Sequence, residues 1–443
     1  MAPRGSQSTA AQRSATRSAP GCCSRGLPAA ADSACGRDPC DPCDAFRSDL
    51  IEGFARLGAV LPAARARKMD IVVKQPRAAA LGAAILALLA YRSRLGLQKA
   101  LVHLIYRIRV LRLKLRLGSV DKEALYGKVA KTASSKGSPE LHALTELFYG
   151  MGKDAKPEMS DTWQKSMFFM DNFYALGLFG PLFSSERVQE TKIDGVRCAW
   201  VTHPDANVTD DSGVLIYCHG GGYFSGTLNA YRAPCGELSR RTGCRTLFVD
   251  YTRVPKGSIA NARDQFVRVY ASLLKTISPS KISLAGDSAG GGFVMGVLQG
   301  IRNQNLAMPA CGVMLSPWGD IANTSEEYKA NNKDMLFSFA HFFDVLGDKA
   351  AEVSGKPADD PDNSFLNGGF KYFPPIMITC GETERLYGDT KLFIERAKAD
   401  GVKVTKDIDP YALHIYPIFY GFGVPEFDAC LDRICSFIKS NIN

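Results

Sequence analysis

Residues 281–302 run from a short apolar stretch through Gly286-Asp287-Ser288-Ala289-Gly290-Gly291-Gly292 straight into a helical pattern. No loop separates the two. A chain passing from strand to helix within one or two residues must turn so sharply that only very small neighbours fit, and Gly286, Ala289 and Gly290 meet that need. Such a turn lifts the Ser288 hydroxyl above the edge of a sheet. The N–H groups at the start of the following helix then point at the same spot.

Around this turn, short β-like runs at 196–202, 214–217, 246–249, 312–315, 375–379 and 402–408 read as further strands beside 281–284. Helical patterns at 261–274, 291–302 and 389–399 lie between them. That alternation predicts an α/β fold with a mostly parallel central sheet and helices on both faces. Upstream, Ser138-Pro139-Glu140 reads as a helix start, with Ser138 as cap and Pro139 at the first helical position. Helical patterns continue to Leu178, and residues 167–183 are rich in Phe and Tyr, which taken alone means ordinary core.

A serine is a poor nucleophile unless a base takes its proton and an acid holds that base. After Ser288 only His341 and His414 remain. His341 lies in an aromatic helical patch and is expected to pack, whereas His414 follows the last strand in a loop, where a base is needed. Three carboxylates, Glu382, Glu384 and Asp389, follow the strand at 375–379. A second motif, His219-Gly220-Gly221-Gly222-Tyr223-Phe224, follows the apolar run 214–218. Alone it is a strand-ending turn. Beside an activated serine, its bare backbone can supply N–H donors for the negative charge that develops on an attacked carbonyl oxygen. Gly220, Gly221, Gly222 and Ala289 are therefore the expected oxyanion hole, and Tyr223 and Phe224 the expected substrate contacts. This chemistry calls for no metal and no organic cofactor.

The paired motifs resemble the hormone-sensitive-lipase-type branch of the α/β-hydrolases, which includes arylacetamide deacetylases and steryl acetyl hydrolases. Three more segments are similar to that family's: Asp250-Tyr251-Thr252-Arg253-Val254-Pro255, Leu315-Ser316-Pro317-Trp318-Gly319-Asp320, and Gly381-x-x-Glu384-x-Leu386. Gly388 departs from the pattern, since relatives often carry an acid there. The resemblance covers the chain from about Pro139 onward. It implies an α/β-hydrolase fold with an N-terminal helical cap and a Ser288–His414–Glu384 triad. Position agrees: Glu384 sits mid-loop, Glu382 crowds the strand end, and Asp389 is expected to cap the helix it opens. The expected function is a membrane-attached serine carboxylester hydrolase, a deacetylase of small lipophilic esters of acetylated sterol or aryl type. The alternatives are a catalytically silent small-molecule receptor and a neutral acylglycerol lipase. The receptor is disfavoured because it has no use for an aligned His414 and Glu384.

The front of the chain is different. Residues 1–118 hold 20 Lys and Arg against 7 Asp and Glu, while the remainder holds 34 against 38. The basic excess therefore belongs to the N-terminal part, and the main domain shows no nucleic-acid character. Thirteen cysteines, an odd number without a repeating framework, argue against a disulfide scaffold. Residues 1–68 read as an Arg-, Ser-, Ala- and Cys-rich leader: a disordered tail, a transit peptide or an extension upstream of Met69. Residues 69–120 read as a membrane-attachment segment. The 14-residue apolar run 78–91 is short for a span, which needs about 20 residues. Leu101, Leu104, Ile105, Ile108 and Leu111 then recur at helical spacing among basic residues, with no acid from 71 to 120. Such a helix suits an anionic membrane surface. Residues 121–190 are assigned to cap helices and 191–443 to the catalytic core. The expected location is the endoplasmic reticulum membrane. Sequons at Asn207 and Asn323 fit a lumenal body, and the basic residues after the apolar run fit a cytosolic one.

Overall fold

The computed structural model describes residues 94–442 except 116, 135, 154–161, 182, 184, 332–333 and 335–340. The leader and the apolar run 78–91 lie outside the described residues.

Eight strands form one sheet: β1 Arg187–Ile193, β2 Val196–Thr202, β3 Val214–Cys218, β4 Arg245–Val249, β5 Ile282–Asp287, β6 Cys311–Leu315, β7 Ile376–Gly381 and β8 Val404–Asp409. Their order across the sheet is β1-β2-β4-β3-β5-β6-β7-β8. From β4 to β8 every pairing is parallel, and β2 joins this block antiparallel. Strands β3, β5, β6 and β7 are buried along their whole length, which is why they read as unbroken apolar runs rather than alternating ones. β1 has no counterpart among the sequence-based strands. It is an edge strand of mostly exposed residues, Arg-Val-Gln-Glu-Thr-Lys-Ile, and charge of that kind protects an edge but hides it from hydrophobic periodicity.

Leaving short turns aside, the helices are α1 Arg94–Lys114, α2 Pro139–Lys153, α3 Trp163–Ala175, α4 Leu228–Thr242, α5 Ile259–Leu273, α6 Ala289–Asn303, α7 Phe342–Ser354, α8 Tyr387–Ala399 and α9 Pro425–Asn441. α4 and α9 pack together on one face of the sheet, and α5, α6 and α8 cover the other. The predicted start of α2 is present: Ser138 Oγ accepts from Leu141 N at 3.0 Å. α3 brings Phe173 and Tyr174 into an aromatic cluster with Phe179, Tyr231 and Phe419, so most of the aromatic stretch is core. Phe183 is the exception and is exposed.

Two local expectations fail. His341 does not pack; it is exposed at the start of α7. Asn323 is buried, accepts from Trp318 Nε1 and donates to Asp344, so no glycan can reach it in the folded chain. Asn207 is exposed.

Candidate active site

Strand β5 ends at Asp287 and α6 begins at Ala289, so Ser288 alone makes the turn, with φ 55° and ψ −123°. A non-glycine residue is strained there and stays only because its surroundings fix it. Ser288 N donates to Leu315 O at 2.8 Å, and Ser288 O accepts from Gly292 N at 3.1 Å and Trp318 N at 2.9 Å. The demand for small neighbours is literal: a Cβ on Gly290 would stand 1.9 Å from the Cys218 carbonyl oxygen.

The loops leaving β7 and β8 at the same end of the sheet carry the acid and the base. His414 Nδ1 lies 2.6 Å from Glu384 Oε2, and both side chains are 1% exposed. Burial works against a charged imidazole, yet the Glu384 charge and hydrogen bond outweigh it and raise the His414 pKa. The other oxygen, Glu384 Oε1, accepts from Gly381 N at 2.5 Å and Ser316 Oγ at 2.8 Å. Ser316 Oγ in turn accepts from Ile415 N at 3.0 Å, so one hydroxyl joins the acid to the residue after His414. In the sequence Ser316 stands out only as part of a motif, because the contact spans 68 residues to Glu384 and 99 to Ile415.

The other two carboxylates are used differently. Glu382 N donates to Asp409 O, which anchors that residue at the strand end. Asp389 does not cap its own helix. Its Oδ2 accepts from Gly319 N at 2.8 Å and Asp320 N at 2.9 Å, holding the loop after β6. Burial, with the nearby Asp320 charge, pushes the Asp389 pKa up to about 8. Sequence spacing could place Asp389 in a first helical turn but could not show that donors from another loop reach it.

The glycine-rich loop follows β3. Gly221 has φ 113°, a conformation a side chain would strain, and its carbonyl accepts from Ser225 N at 2.9 Å to close the turn. Two expectations about this loop need correction. Gly220 N donates to Asp287 Oδ1 at 3.1 Å, so that N–H is committed and cannot serve an oxyanion. The Tyr223 side chain turns into the core, where its hydroxyl donates to Trp318 O at 2.6 Å and its ring packs on Phe293, so it is a strut rather than a substrate contact. Phe224 packs against Trp163 of α3, and Ser225 Oγ donates to Asp171 on the same helix. Helix α3 is thus fastened to the glycine-rich loop.

Asp287 was invisible to sequence reasoning except as a motif letter. It accepts from Tyr217 OH at 2.8 Å, Tyr231 OH at 2.9 Å and Gly220 N, and burial raises its pKa to about 6 despite those donors. It ties the nucleophile turn to the glycine loop. His219 lies stacked between Phe248 and Tyr251, with burial and then Arg253 lowering its pKa to about 3. It stays neutral at ordinary pH. Among the described residues no group of three His, Cys, Asp or Glu is placed to hold a metal.

Residues 215–417, which span Ser288, Glu384 and His414, match the α/β hydrolase fold family. An acetyl-hydrolase from Streptomyces hygroscopicus is 28% identical over 232 residues, or 52% of this chain and 76% of that protein. An esterase from Acinetobacter venetianus is 32% identical over 229 residues, or 51% of this chain and 75% of that protein. The crystal structure of an esterase from the bacterial hormone-sensitive lipase family is similar with a TM-score of 0.58 at 28% identity, covering 70% of this chain and 100% of that one.

Proposed function

This chain belongs to the α/β-hydrolase family as a carboxylic ester hydrolase of the hormone-sensitive-lipase type, and on that premise we propose that it cleaves small lipophilic acyl esters, acetyl esters foremost, through Ser288, His414 and Glu384. The observation that carries the proposal is the buried His414–Glu384 pair, set at the same sheet end as the strained turn bearing Ser288. In the proposed reaction Ser288 Oγ attacks the ester carbonyl carbon while its proton passes to His414 Nε2. The carbonyl oxygen gains the negative charge, and the N–H groups of Gly221, Gly222 and Ala289 receive it. Collapse expels the alcohol, which takes the proton from His414, and leaves an acyl group on Ser288. Water then attacks with His414 as base, releasing the carboxylic acid and restoring the serine. Glu384 keeps Nδ1 protonated and aimed, so that Nε2 is the basic nitrogen.

The acetyl preference rests on the acetyl-hydrolase relative and on the aromatic pair Phe224 and Trp163 packed beside the glycine loop. The same proposal attaches the enzyme to a membrane, that of the endoplasmic reticulum, on the strength of the basic N-terminal 118 residues and the apolar run 78–91. No helix among the described residues is long and apolar enough to cross a membrane. A panel of chromogenic esters from acetate to palmitate tests the substrate class. Rates should be highest for acetate to butyrate and fall with longer acyl chains, and a maximum at palmitate would replace the deacetylase with a lipase.

A further inference from the structure

Helix α1 is apolar on two opposite sides. Val102, Tyr106 and Val110 are buried at 8%, 0% and 7% exposure and face the body. On the other side Leu97, Leu101, Leu104, Ile108, Leu111 and Leu115 follow the i, i+4, i+7 spacing of one helical stripe, and five of these six are between 52% and 58% exposed. Leu117 just beyond is 71% exposed. Single exposed leucines need no explanation, but a continuous aliphatic stripe in water does.

The helix is firmly seated, so the stripe is not the result of a loosely placed segment. His103 stacks on Phe422 at 4.2 Å, Tyr106 meets the same ring edge-on, and Lys99 Nζ donates to Pro181 O at 2.7 Å. Arg109 and Arg112 pair with Glu146, and Lys114 with Glu140, both on α2. Phe422 ends the short helical segment Tyr416–Phe422, which starts two residues after His414. α1 is therefore built onto the segment that follows the base in the chain, and its outer side is presented at a fixed angle.

Charge selects the occupant. α1 has six basic residues and no acidic one, and no Asp or Glu occurs from 71 to 120. The two α2 acids offset only part of that charge, and Arg107 is exposed beside the stripe. An aliphatic stripe on a basic helix, continuous in sequence with a 14-residue apolar run, matches an anionic lipid surface: acyl chains for the leucines and headgroup phosphates for the arginines.

We infer that α1 lies in the plane of an anionic membrane with Leu101, Leu104, Ile108 and Leu111 inserted at the headgroup–acyl boundary. This deepens the membrane attachment proposed above by naming the contacting face. It rests on the esterase reading only in that the docked enzyme would take ester dissolved in the bilayer. Docking through a rigid part of the body would fix the catalytic domain relative to the lipid, which a flexible tether would not do.

The test uses the full chain with vesicles of phosphatidylcholine and phosphatidylserine containing a diazirine-tailed phosphatidylcholine. Photolysis should place adducts on Leu101, Leu104, Ile108 and Leu111 and leave Val102 and Tyr106 unlabelled. The combined variant Leu104→Gln, Ile108→Gln and Leu111→Gln should lose those adducts and hydrolyse a vesicle-dissolved ester roughly tenfold more slowly, while its rate on a water-soluble ester is unchanged. Adducts confined to residues 78–91, or a concentration-dependent dimer that leaves the stripe unlabelled, would overturn the inference. Loss of soluble-ester hydrolysis in the unmodified protein would count against the esterase reading alone, since the adduct map reads the docking face independently.

Discussion

Replacing Ser316 with Ala removes one hydroxyl that makes two buried hydrogen bonds. It donates to Glu384 Oε1 and accepts from Ile415 N, and the residue is 0% exposed, so water cannot readily replace either partner. A bond to a charged acceptor contributes about 1.5–3 kcal/mol, and an orphaned buried N–H costs about 1–3 kcal/mol. Because the two share one oxygen, the combined loss should fall near the lower sum, roughly 2–4 kcal/mol. That leaves a folded protein if stability lies in the usual range of about 5–15 kcal/mol. Catalysis should suffer less than from losing the acid, because Glu384 keeps Gly381 N and His414. A roughly tenfold fall in kcat with KM unchanged is expected, against about 10⁴-fold when a triad acid loses its charge. Urea unfolding and steady-state hydrolysis of a soluble acetyl ester, measured on the same preparations, check both numbers. Reduced stability with unchanged kcat would show that Ser316 braces the loops without positioning the acid.

Asp389→Asn should leave activity intact and cost under about 1 kcal/mol at acid pH below 3.8, where the carboxyl is protonated in the folded and unfolded chain alike, because an amide oxygen can still accept from Gly319 N and Asp320 N; at neutral pH the variant should be no less stable than the native protein. Its raised pKa makes the carboxyl erode stability as pH climbs from its ordinary value of 3.8 toward about 8, and urea midpoints of the Asn variant should lack that slope. Since the Glu384 charge raises the His414 pKa above its ordinary value, kcat/KM should rise with pH through a midpoint above 6.5, and Glu384→Gln should move that midpoint down as well as lowering the rate. The same shift means that the His414–Glu384 pair stabilises the fold fully below the unfolded histidine pKa and loses that contribution as pH rises through the folded one.

The legible parts of this chain are those where local chemistry and tertiary demand agree. Ser288 is readable because a strand-to-helix turn tolerates only tiny neighbours, and β3, β5, β6 and β7 because burial on both faces leaves apolar runs. β1 is not, since its exposed polar residues carry no hydrophobic signal. The supporting bonds were hidden for another reason. Ser316 to Ile415, Asp389 to Gly319 and Asp287 to Tyr231 join positions 56 to 99 residues apart, and no local spacing encodes such a contact. Gly220 shows the limit within a motif: its glycine character was evident, but only the fold reveals that Asp287 takes its N–H.

The most direct test of the central claim is to treat the full chain with a fluorophosphonate and locate the adduct by mass spectrometry. A single phosphonyl group on Ser288 is expected, with ester hydrolysis lost in proportion to labelling. Ser288→Ala should take up no label and should hydrolyse no ester. Labelling at another serine, or undiminished hydrolysis by the Ser288→Ala protein, would contradict the account.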